Sequence, residues 1–257
     1  MARVKPSSLI MELGSSVFSP TSISGLTAWV DFSDRSTLFQ DTARTSPVTT
    51  DGQSIKGVTN KAGSVHLSEG SVPPSYKVNI QAGLSVARFV GGSSQKLDWA
   101  SNPSSGKTAG TVFVVHHALD NSSYANSSPI SEWGTAATAD HVPYSDGQIY
   151  EGWGSTARRD CGNPSVNLNN KHIYVVVTAA SDYRTYIAGG TPFFSSGTNT
   201  VGWAATAKMM YSTRTPAQSD GDICEVIVYD SALSLTNLNA VANALAAKWN
   251  VSWTTAT

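Results

Sequence analysis

The stretch GDICEVIVYDSALSLTNLNAVANALAAKWNV, residues 221–251, carries the two signals that decide the fold. Its first part, residues 222–230, is rich in residue types that favour β-structure and predicts a strand. The part that follows places apolar residues at helical spacing, which predicts an amphipathic helix. The apolar face of that helix consists of Leu238, Val241, Leu245 and Trp249.

The beginning of this helix has signals of its own. Ser234 is a residue type that caps helix N-termini, and Leu233 before it is placed to pack on Leu238 as a hydrophobic staple. We therefore expect a capped helix that docks its apolar face on a sheet.

Most of the remaining chain consists of short β-favouring runs separated by Gly, Ser, Asn, Asp and Pro. The runs TVFVV and YVVV are apolar at every position, which predicts strands covered on both faces. The AASD step between Thr178 and Tyr183 suits a hairpin turn. Besides LTAWVDF after residue 25 and the strand at 222–230, the predicted strands are SVARFV (85–90), GTVFVVHHA (110–118), QIYEGW (148–153), HIYVVVTA (172–179) and YRTYIAG (183–189).

Composition excludes several classes of protein. Only 14% of the 257 residues are charged and the formal net charge is -1, so the chain lacks the positive potential that nucleic acids require. The longest apolar runs are much shorter than the roughly 20 residues that cross a bilayer as a helix. We expect no nucleic-acid partner and no membrane span.

The N-terminus and the cysteines give weaker signals. Residues 1–24 are rich in Ser and Pro and predict an extended anchoring arm, and we expect residues 25–257 to form one domain. Glu12 interrupts the first apolar run, which argues against a signal peptide. Cys161 and Cys224 allow one disulfide at most; we expect Cys224 to be buried and Cys161 partly exposed.

The closing strand, Leu-Ser turn and helix at 221–251 resemble the end of concanavalin A-like lectin/glucanase domains, which are LamG-like jelly rolls. The opening LTAWVDFSDRSTLF resembles their first strand, and PYSDGQIYEGWGSTAR, residues 143–158, resembles a segment of the versions carried by tailed-phage virion proteins. The resemblance covers about residues 25–251 and implies an all-β, two-sheet antiparallel jelly-roll sandwich with a C-terminal helix. Lectins, glucanases, lyases and structural modules all use this fold, so fold does not fix function.

The expected catalytic patterns are missing. Glycoside hydrolysis requires two carboxylates about 5 to 9.5 Å apart, which the glucanases of the resembled family place on one strand as E-x-D-x-x-E. Glu132, Glu151 and Glu225 each lack such partners, and a Gly-containing turn separates Glu151 from Asp146. We therefore expect no catalytic residues and a protein that is not an enzyme.

No metal or cofactor is expected either. SSGKT, residues 104–108, lacks the first glycine of a phosphate loop and leads into a strand. His116 and His117 are adjacent in a strand and point to opposite faces. The pairs Asp31 with Asp34 and Asp146 with Asp160 belong to no recognisable calcium loop.

The segment from His141 to Pro164 has the residue types of a binding site. Rings that stack on sugars or proteins are combined with groups that form hydrogen bonds, and Tyr144 to Gly147 predicts a β-turn with Gly147 at positive φ. Three interpretations stay open: structural roles, with Tyr150 and Trp153 on opposite faces of a strand; a protein contact; or a sugar contact. The candidate ligand-binding residues are Tyr144, Asp146, Tyr150, Glu151, Trp153, Arg158 and Arg159.

These inferences predict a non-enzymatic surface protein of a phage virion, a capsid decoration or a fibre-like protein that displays a lectin-like module. Its arm would bind coat or other virion proteins, and a homo-oligomer would provide avidity. One alternative is an adhesin that binds host surface polysaccharide through residues 144–159. Another is a glycoside hydrolase or polysaccharide lyase.

Overall fold

A computed structural model describes residues 18–118, 128–135, 140–212, 217–218 and 220–257. Within these ranges the chain folds into two antiparallel β-sheets, two small ribbons and one α-helix, α1 (Leu235–Trp249). Short 3-10 helices lie at Pro20–Ser22, Arg35–Thr37 and Gly91–Ser93. The predicted all-β sandwich with a C-terminal helix is confirmed. No helix in the described ranges has the length and apolar character needed to span a membrane.

The strands in the described residues are numbered in chain order. They are β1 (Leu26–Asp31), β2 (Leu38–Phe39), β3 (Gly57–Val58), β4 (Leu67–Ser68), β5 (Ser75–Gln81), β6 (Leu84–Phe89), β7 (Leu97–Trp99), β8 (Ala109–Ala118), β9 (Ile149–Glu151), β10 (Arg159–Gly162), β11 (His172–Ala179), β12 (Asp182–Ile187), β13 (Phe194–Ser196), β14 (Lys208–Met209), β15 (Tyr211–Ser212), β16 (Ala217–Gln218) and β17 (Gly221–Tyr229).

The large sheet has the strand order β13-β12-β11-β8-β17-β6-β5. Strand β17 pairs with β6 through residues 221–223 and with β1 through residues 225–229, so these two strands share one edge of β17. The small sheet has the order β14-β7-β4-β3-β2 and consists of strands two or three residues long. The predicted hairpin joins β11 to β12, with Ala179 opposite Asp182 and Ser181 at φ 59°.

The central strands of the large sheet are buried on both faces, as predicted. Val112, Val114 and Val176 point into the core between the two sheets. Phe113 and Val175, which alternate with them, point to the opposite face and pack under α1. This double coverage explains why the sequence of β8 and β11 shows no polar alternation.

Helix α1 has the predicted cap and the predicted buried face. The Ser234 side chain accepts a hydrogen bond from the Asn237 amide at 3.3 Å, and Asn250 ends the helix in the left-handed conformation. Leu233 and Leu238 lie in one buried cluster, as a hydrophobic staple requires. The helix residues Leu238, Val241, Leu245 and Trp249 are all buried.

Residues 1–17 of the predicted arm lie outside the described residues. Phe18 and Ile23 pack against the cluster under α1, and the Tyr229 hydroxyl donates to the Pro20 carbonyl at 3.0 Å. Phe18 also borders a groove of about 540 Å³ between the large sheet and α1. The last residues of the arm therefore lie on the outer face of the large sheet.

Both cysteines are free and buried. The expectation that Cys161 is partly exposed is wrong, because β10 turns its side chain into the core between the sheets. Cys224 lies in the cluster under α1. Burial raises the pKa of both thiols, so neither is a reactive thiolate at neutral pH.

Candidate functional site

Residues 141–162 form a small unit that covers the inner face of the large sheet. Strands β9 and β10 pair antiparallel, and His141 pairs with Tyr150 through backbone hydrogen bonds of 2.7 and 2.9 Å. The unit is fixed to the sheet by the Thr178 hydroxyl, which donates to the Gly154 carbonyl at 3.1 Å. A Cβ atom at Gly110 in β8 would lie 2.8 Å from the Trp153 ring, so only glycine there admits the indole.

The outer side of this unit carries a compact group of side chains, Tyr144, Asp146, Tyr150 and Arg158, which we call the surface cluster. The Tyr144 and Tyr150 rings meet edge to face at 5.7 Å. The Tyr150 hydroxyl donates to Asp146 at 2.9 Å, and the Arg158 guanidinium lies 4.1 Å from the centre of the Tyr150 ring. These four residues are exposed or half-buried.

The predicted β-turn holds one side of the surface cluster in place. The Gly147 amide donates to the Tyr144 carbonyl at 2.9 Å, and Gly147 has a φ of 84°, which confirms the expected turn. The Gln148 amide donates to Asp146, and this hydrogen bond is the main cause of the lowered pKa of Asp146. Asp146 is therefore a fixed carboxylate at neutral pH.

The Arg158 guanidinium is not neutralised by a carboxylate among the described residues. In the part of the chain that the structure describes, it forms no ion pair, and its contact is with the Tyr150 ring. Gln148 lies between two exposed carboxylates: with its amide nitrogen turned toward Asp160, it donates to that group at 2.7 Å. Donors and acceptors thus alternate across the surface cluster and its edge.

Three of the predicted ligand-binding residues do not belong to this surface. Trp153 and Glu151 are fully buried, because the strand turns them toward the large sheet, so neither reaches a ligand in solvent. Arg159 packs on the buried Tyr183 ring at 4.4 Å and donates to Thr198 and Asn199. Its two terminal nitrogens are used in these hydrogen bonds and in one to the Ala157 carbonyl.

Beneath the surface cluster lies a buried acidic pair that sequence reasoning missed. Asp140 and Glu151 are both buried and hydrogen-bonded to each other through their side chains. Glu151 also accepts from the Tyr174 hydroxyl at 2.6 Å and from the amides of Gly152 and Trp153 at 3.0 and 2.9 Å. The two carboxyls are eleven positions apart in sequence, and no periodic pattern links them.

Glu151 and Glu225 lie on opposite faces of the large sheet. Glu225 faces α1, where it accepts from Trp29, Trp249 and Lys248 at 2.7 to 2.8 Å. Glu151 lies on the other side of the large sheet, bonded to Tyr174 in the core between the sheets. The sheet itself therefore separates these two carboxyls.

Other sequence motifs have structural roles. The residues of SSGKT form a turn before β8, and Lys107 pairs with Asp230 at 2.8 Å. Asp31 and Asp34 are paired with lysine, Asp34 with Lys61 at 2.7 Å. His116 lies 4.5 Å from His172 on the inner face, a ring contact that uses this histidine in packing.

The fold has known counterparts, although no protein-family model and no curated protein sequence matches the chain. A Trypanosoma rangeli sialidase in complex with 2,3-difluorosialic acid has a TM-score of 0.54 and 13% sequence identity to this chain. The match covers 96% of this chain and 36% of the sialidase chain. A GH54 α-L-arabinofuranosidase soaked with 4-nitrophenyl α-L-arabinofuranoside matches 76% and 51%, with a TM-score of 0.51 and 9% identity.

A third structure is the binding domain of Paraclostridial Mosquitocidal Protein 1, with a TM-score of 0.58 and 9% identity over 86% of this chain and 52% of that domain. The chain thus spans about a third of the sialidase and about half of the other two. At these identities the likeness shows the fold.

The comparisons correct one expectation. We expected a protein that is not an enzyme, but solved structures that share the fold belong to sialidases and to an arabinofuranosidase. That expectation is contradicted. What the comparisons show of the chain itself is an all-β sandwich of the lectin-like kind.

Proposed function

We propose that this chain is a glycan-binding β-sandwich domain whose ligand contacts the surface cluster. The observation that carries the proposal is the Arg158 guanidinium, which lies over the Tyr150 ring at 4.1 Å from its centre and has no carboxylate partner in the described residues. Arginine in this arrangement donates two parallel hydrogen bonds to a carboxylate or to neighbouring hydroxyls. Contacts with Asp146 and Arg158 hold the Tyr150 ring in place before a ligand arrives, which lowers the entropy cost of binding.

The neighbouring groups favour a sugar as the ligand. Asp146 and Asp160 supply exposed acceptors for hydroxyl groups, and the half-buried Tyr144 ring supplies an apolar surface. One of the matching structures is a complex with a sialic acid derivative and another was soaked with an arabinofuranoside, which supports glycans as the ligand class. The unpaired guanidinium further favours sugars that carry a carboxylate over neutral sugars.

Arg158→Ala is expected to weaken binding of an acidic polysaccharide about 10- to 100-fold. The physical reason is the loss of charge-assisted hydrogen bonds, worth roughly 1.5 to 3 kcal/mol. Isothermal titration with a polysaccharide identified on a glycan array measures the change. Arg158→Lys, which keeps the charge but loses the planar fork, should recover only part of the affinity.

The matched control is Arg35→Ala. Arg35 is exposed and its side chain donates to the Thr49 carbonyl at 3.2 Å, in a 3-10 helix outside residues 141–162. Equal affinities of Arg158→Ala and wild type, or equal losses in both alanine variants, would contradict the proposed site. Detection of new reducing ends or unsaturated products during the same incubations would assign a hydrolase or lyase activity in place of binding alone.

We further propose, on the sequence resemblance alone, that the domain is displayed on a phage particle as a homo-oligomer and is attached by residues 1–24. Removal of residues 1–17 leaves the described domain intact and is expected to abolish binding to the particle. Co-sedimentation with particles that lack the protein measures this. Undiminished sedimentation of the truncated chain would refute attachment by the arm.

A further inference from the structure

We propose that Asp140 and Glu151 share a proton beneath the surface cluster. We propose further that this acidic pair positions the surface cluster in a pH-dependent way, so that the cluster is best ordered in acid. As a statement about ligand binding, this inference rests on the glycan-binding function proposed above. As a statement about the order of residues 141–150, it stands on the geometry of the buried pair.

The pair lies directly behind the surface cluster in the chain. Asp140 precedes His141 and Glu151 follows Tyr150, and the backbones of His141 and Tyr150 are hydrogen-bonded to each other in both directions. The His141 ring contacts both tyrosines of the cluster, at 4.8 Å from Tyr144 and 6.5 Å from Tyr150. Each carboxyl is therefore one residue away in sequence from His141 or Tyr150, so a movement of the acidic pair also moves the aromatic rings of the surface cluster.

The acidic pair is surrounded by buried polar groups and by two arginines that form no ion pair with it in the described residues. Tyr174 on β11 supplies a hydroxyl donor, whereas the buried Tyr183 hydroxyl on β12 has no hydrogen-bond partner among the described residues. Cys161 on β10 presents a buried thiol. The cations that face the pair are Arg158, whose charge acts on Asp140, and Arg159, which lies on the Tyr183 ring. Neither arginine forms an ion pair with either carboxyl in the described residues.

The pKa values agree with a shared proton. Burial, followed by the charge of Glu151, raises the pKa of Asp140 well above its ordinary range. Burial also raises the pKa of Glu151 to about 7, although its hydrogen bonds from Tyr174 and two amides oppose the change. Two carboxyls this close and this dry hold at least one proton at neutral pH.

The sign of the pH effect follows from these directions. Both carboxyls bind protons more tightly in the folded unit than in an opened one, where Asp and Glu have pKa values of about 4. The stabilisation is complete below pH 4 and is lost as the pH rises toward 7. Each proton lost on opening favours the open form about tenfold per pH unit in this window.

Histidines do not produce the same effect. Burial lowers the pKa of His117, His141 and His172 to about 4 and that of His116 well below its ordinary value. Opening of the unit therefore lets His141 take up a proton below about pH 6.5, an effect of opposite sign that can only reduce the slope produced by the carboxyls. Glu225 also has a raised pKa, but it lies against α1 on the opposite face of the large sheet. A fall in the protection of residues 141–150 with rising pH therefore reports on the acidic pair.

Hydrogen exchange of the His141 and Tyr150 amides tests the inference on the full chain. After correction for intrinsic exchange, we expect the protection of these amides to fall about tenfold or more per pH unit between pH 5 and pH 7. The double variant Asp140→Asn with Glu151→Gln keeps amide-to-carbonyl hydrogen bonding but has no carboxyl to titrate in the pair, and its protection should no longer fall as the pH rises. Asp51→Asn, at an exposed carboxylate bonded to Val78 and Lys77, is the matched control and should retain the wild-type slope.

An unchanged slope in the double variant would overturn the inference. If the double variant does not fold, Asp140→Asn alone serves, since it still donates to Glu151 and should reduce the slope by that of one proton. Titration with acidic polysaccharide at pH 5 and pH 7 separates the two proposals. Absence of binding at both pH values refutes the glycan-binding function but does not affect the hydrogen-exchange result. Binding without pH-dependent hydrogen exchange refutes the role of the acidic pair.

Discussion

Trp249→Ala is expected to lower the free energy of unfolding by about 3 to 5 kcal/mol. The Trp249 side chain is fully buried in the cluster under α1 and makes the last large contact between the helix and the large sheet. Its indole nitrogen also donates to Glu225 at 2.8 Å, so the alanine leaves a cavity and removes one donor from a buried carboxyl. Urea denaturation followed by circular dichroism measures the loss.

Two further variants separate the causes of this destabilisation. Trp249→Phe fills most of the cavity but lacks the indole donor, and we expect it to cost less than the alanine. Leu235→Ala on the same helix is the control, since Leu235 is 38% exposed and should change stability by less than about 0.5 kcal/mol. A loss below about 1 kcal/mol for Trp249→Ala would show that the helix does not depend on this contact.

Asp222→Ala is expected to lower the free energy of unfolding by about 3 kcal/mol. Asp222 is fully buried between β6 and β8 and accepts two hydrogen bonds from Arg88, at 2.7 and 3.0 Å, and one from Lys171 at 3.2 Å. Removal of the carboxylate leaves two cations without their partner. The cost lies at the low end of the range for buried pairs because 28% of the Arg88 side chain remains exposed to water.

The pair Asp182 and Arg184 provides a control with the same two-point geometry at the surface. Arg184 donates to Asp182 at 3.0 and 2.9 Å, but that carboxylate is 36% exposed, so Asp182→Ala should cost less than about 1 kcal/mol. Thermal and urea denaturation of both variants give the comparison. Equal losses would mean that burial does not set the strength of the Asp222 interaction.

The pH dependence of the Asp222 interaction has the opposite sign to that of the acidic pair. Burial acts to raise the pKa of Asp222, but the hydrogen bond from Arg88 and the nearby positive charges outweigh it, so the pKa is lowered. The stabilisation is therefore present above pH 4 and is lost as the pH falls further. Acid thus weakens this contact between β6 and β17 while it favours the unit of residues 141–162.

The division of the predicted ligand-binding residues between surface and core has one physical cause. Strand alternation indicated correctly that Tyr150 and Trp153 point to opposite faces, but alternation does not say which face is covered. The inner face of the large sheet covers Trp153 and Glu151, whereas Tyr150 and Arg158 stay at the surface. Asp140 was missed because its only signal is proximity to Glu151, which the pairing of His141 with Tyr150 creates.

The sequence alone determined the elements whose signals are local. The helix cap at Ser234, the apolar face of α1, the hairpin after β11 and the double burial of β8 and β11 each follow from residue types at short spacing. Tertiary structure decided what depends on contacts between distant segments. The small sheet is built from strands of two or three residues, too short to show a period, and the surface cluster exists only because residues 141–162 fold over the large sheet. A local pattern records the face of a strand, and only the packing of the whole chain determines which face meets water.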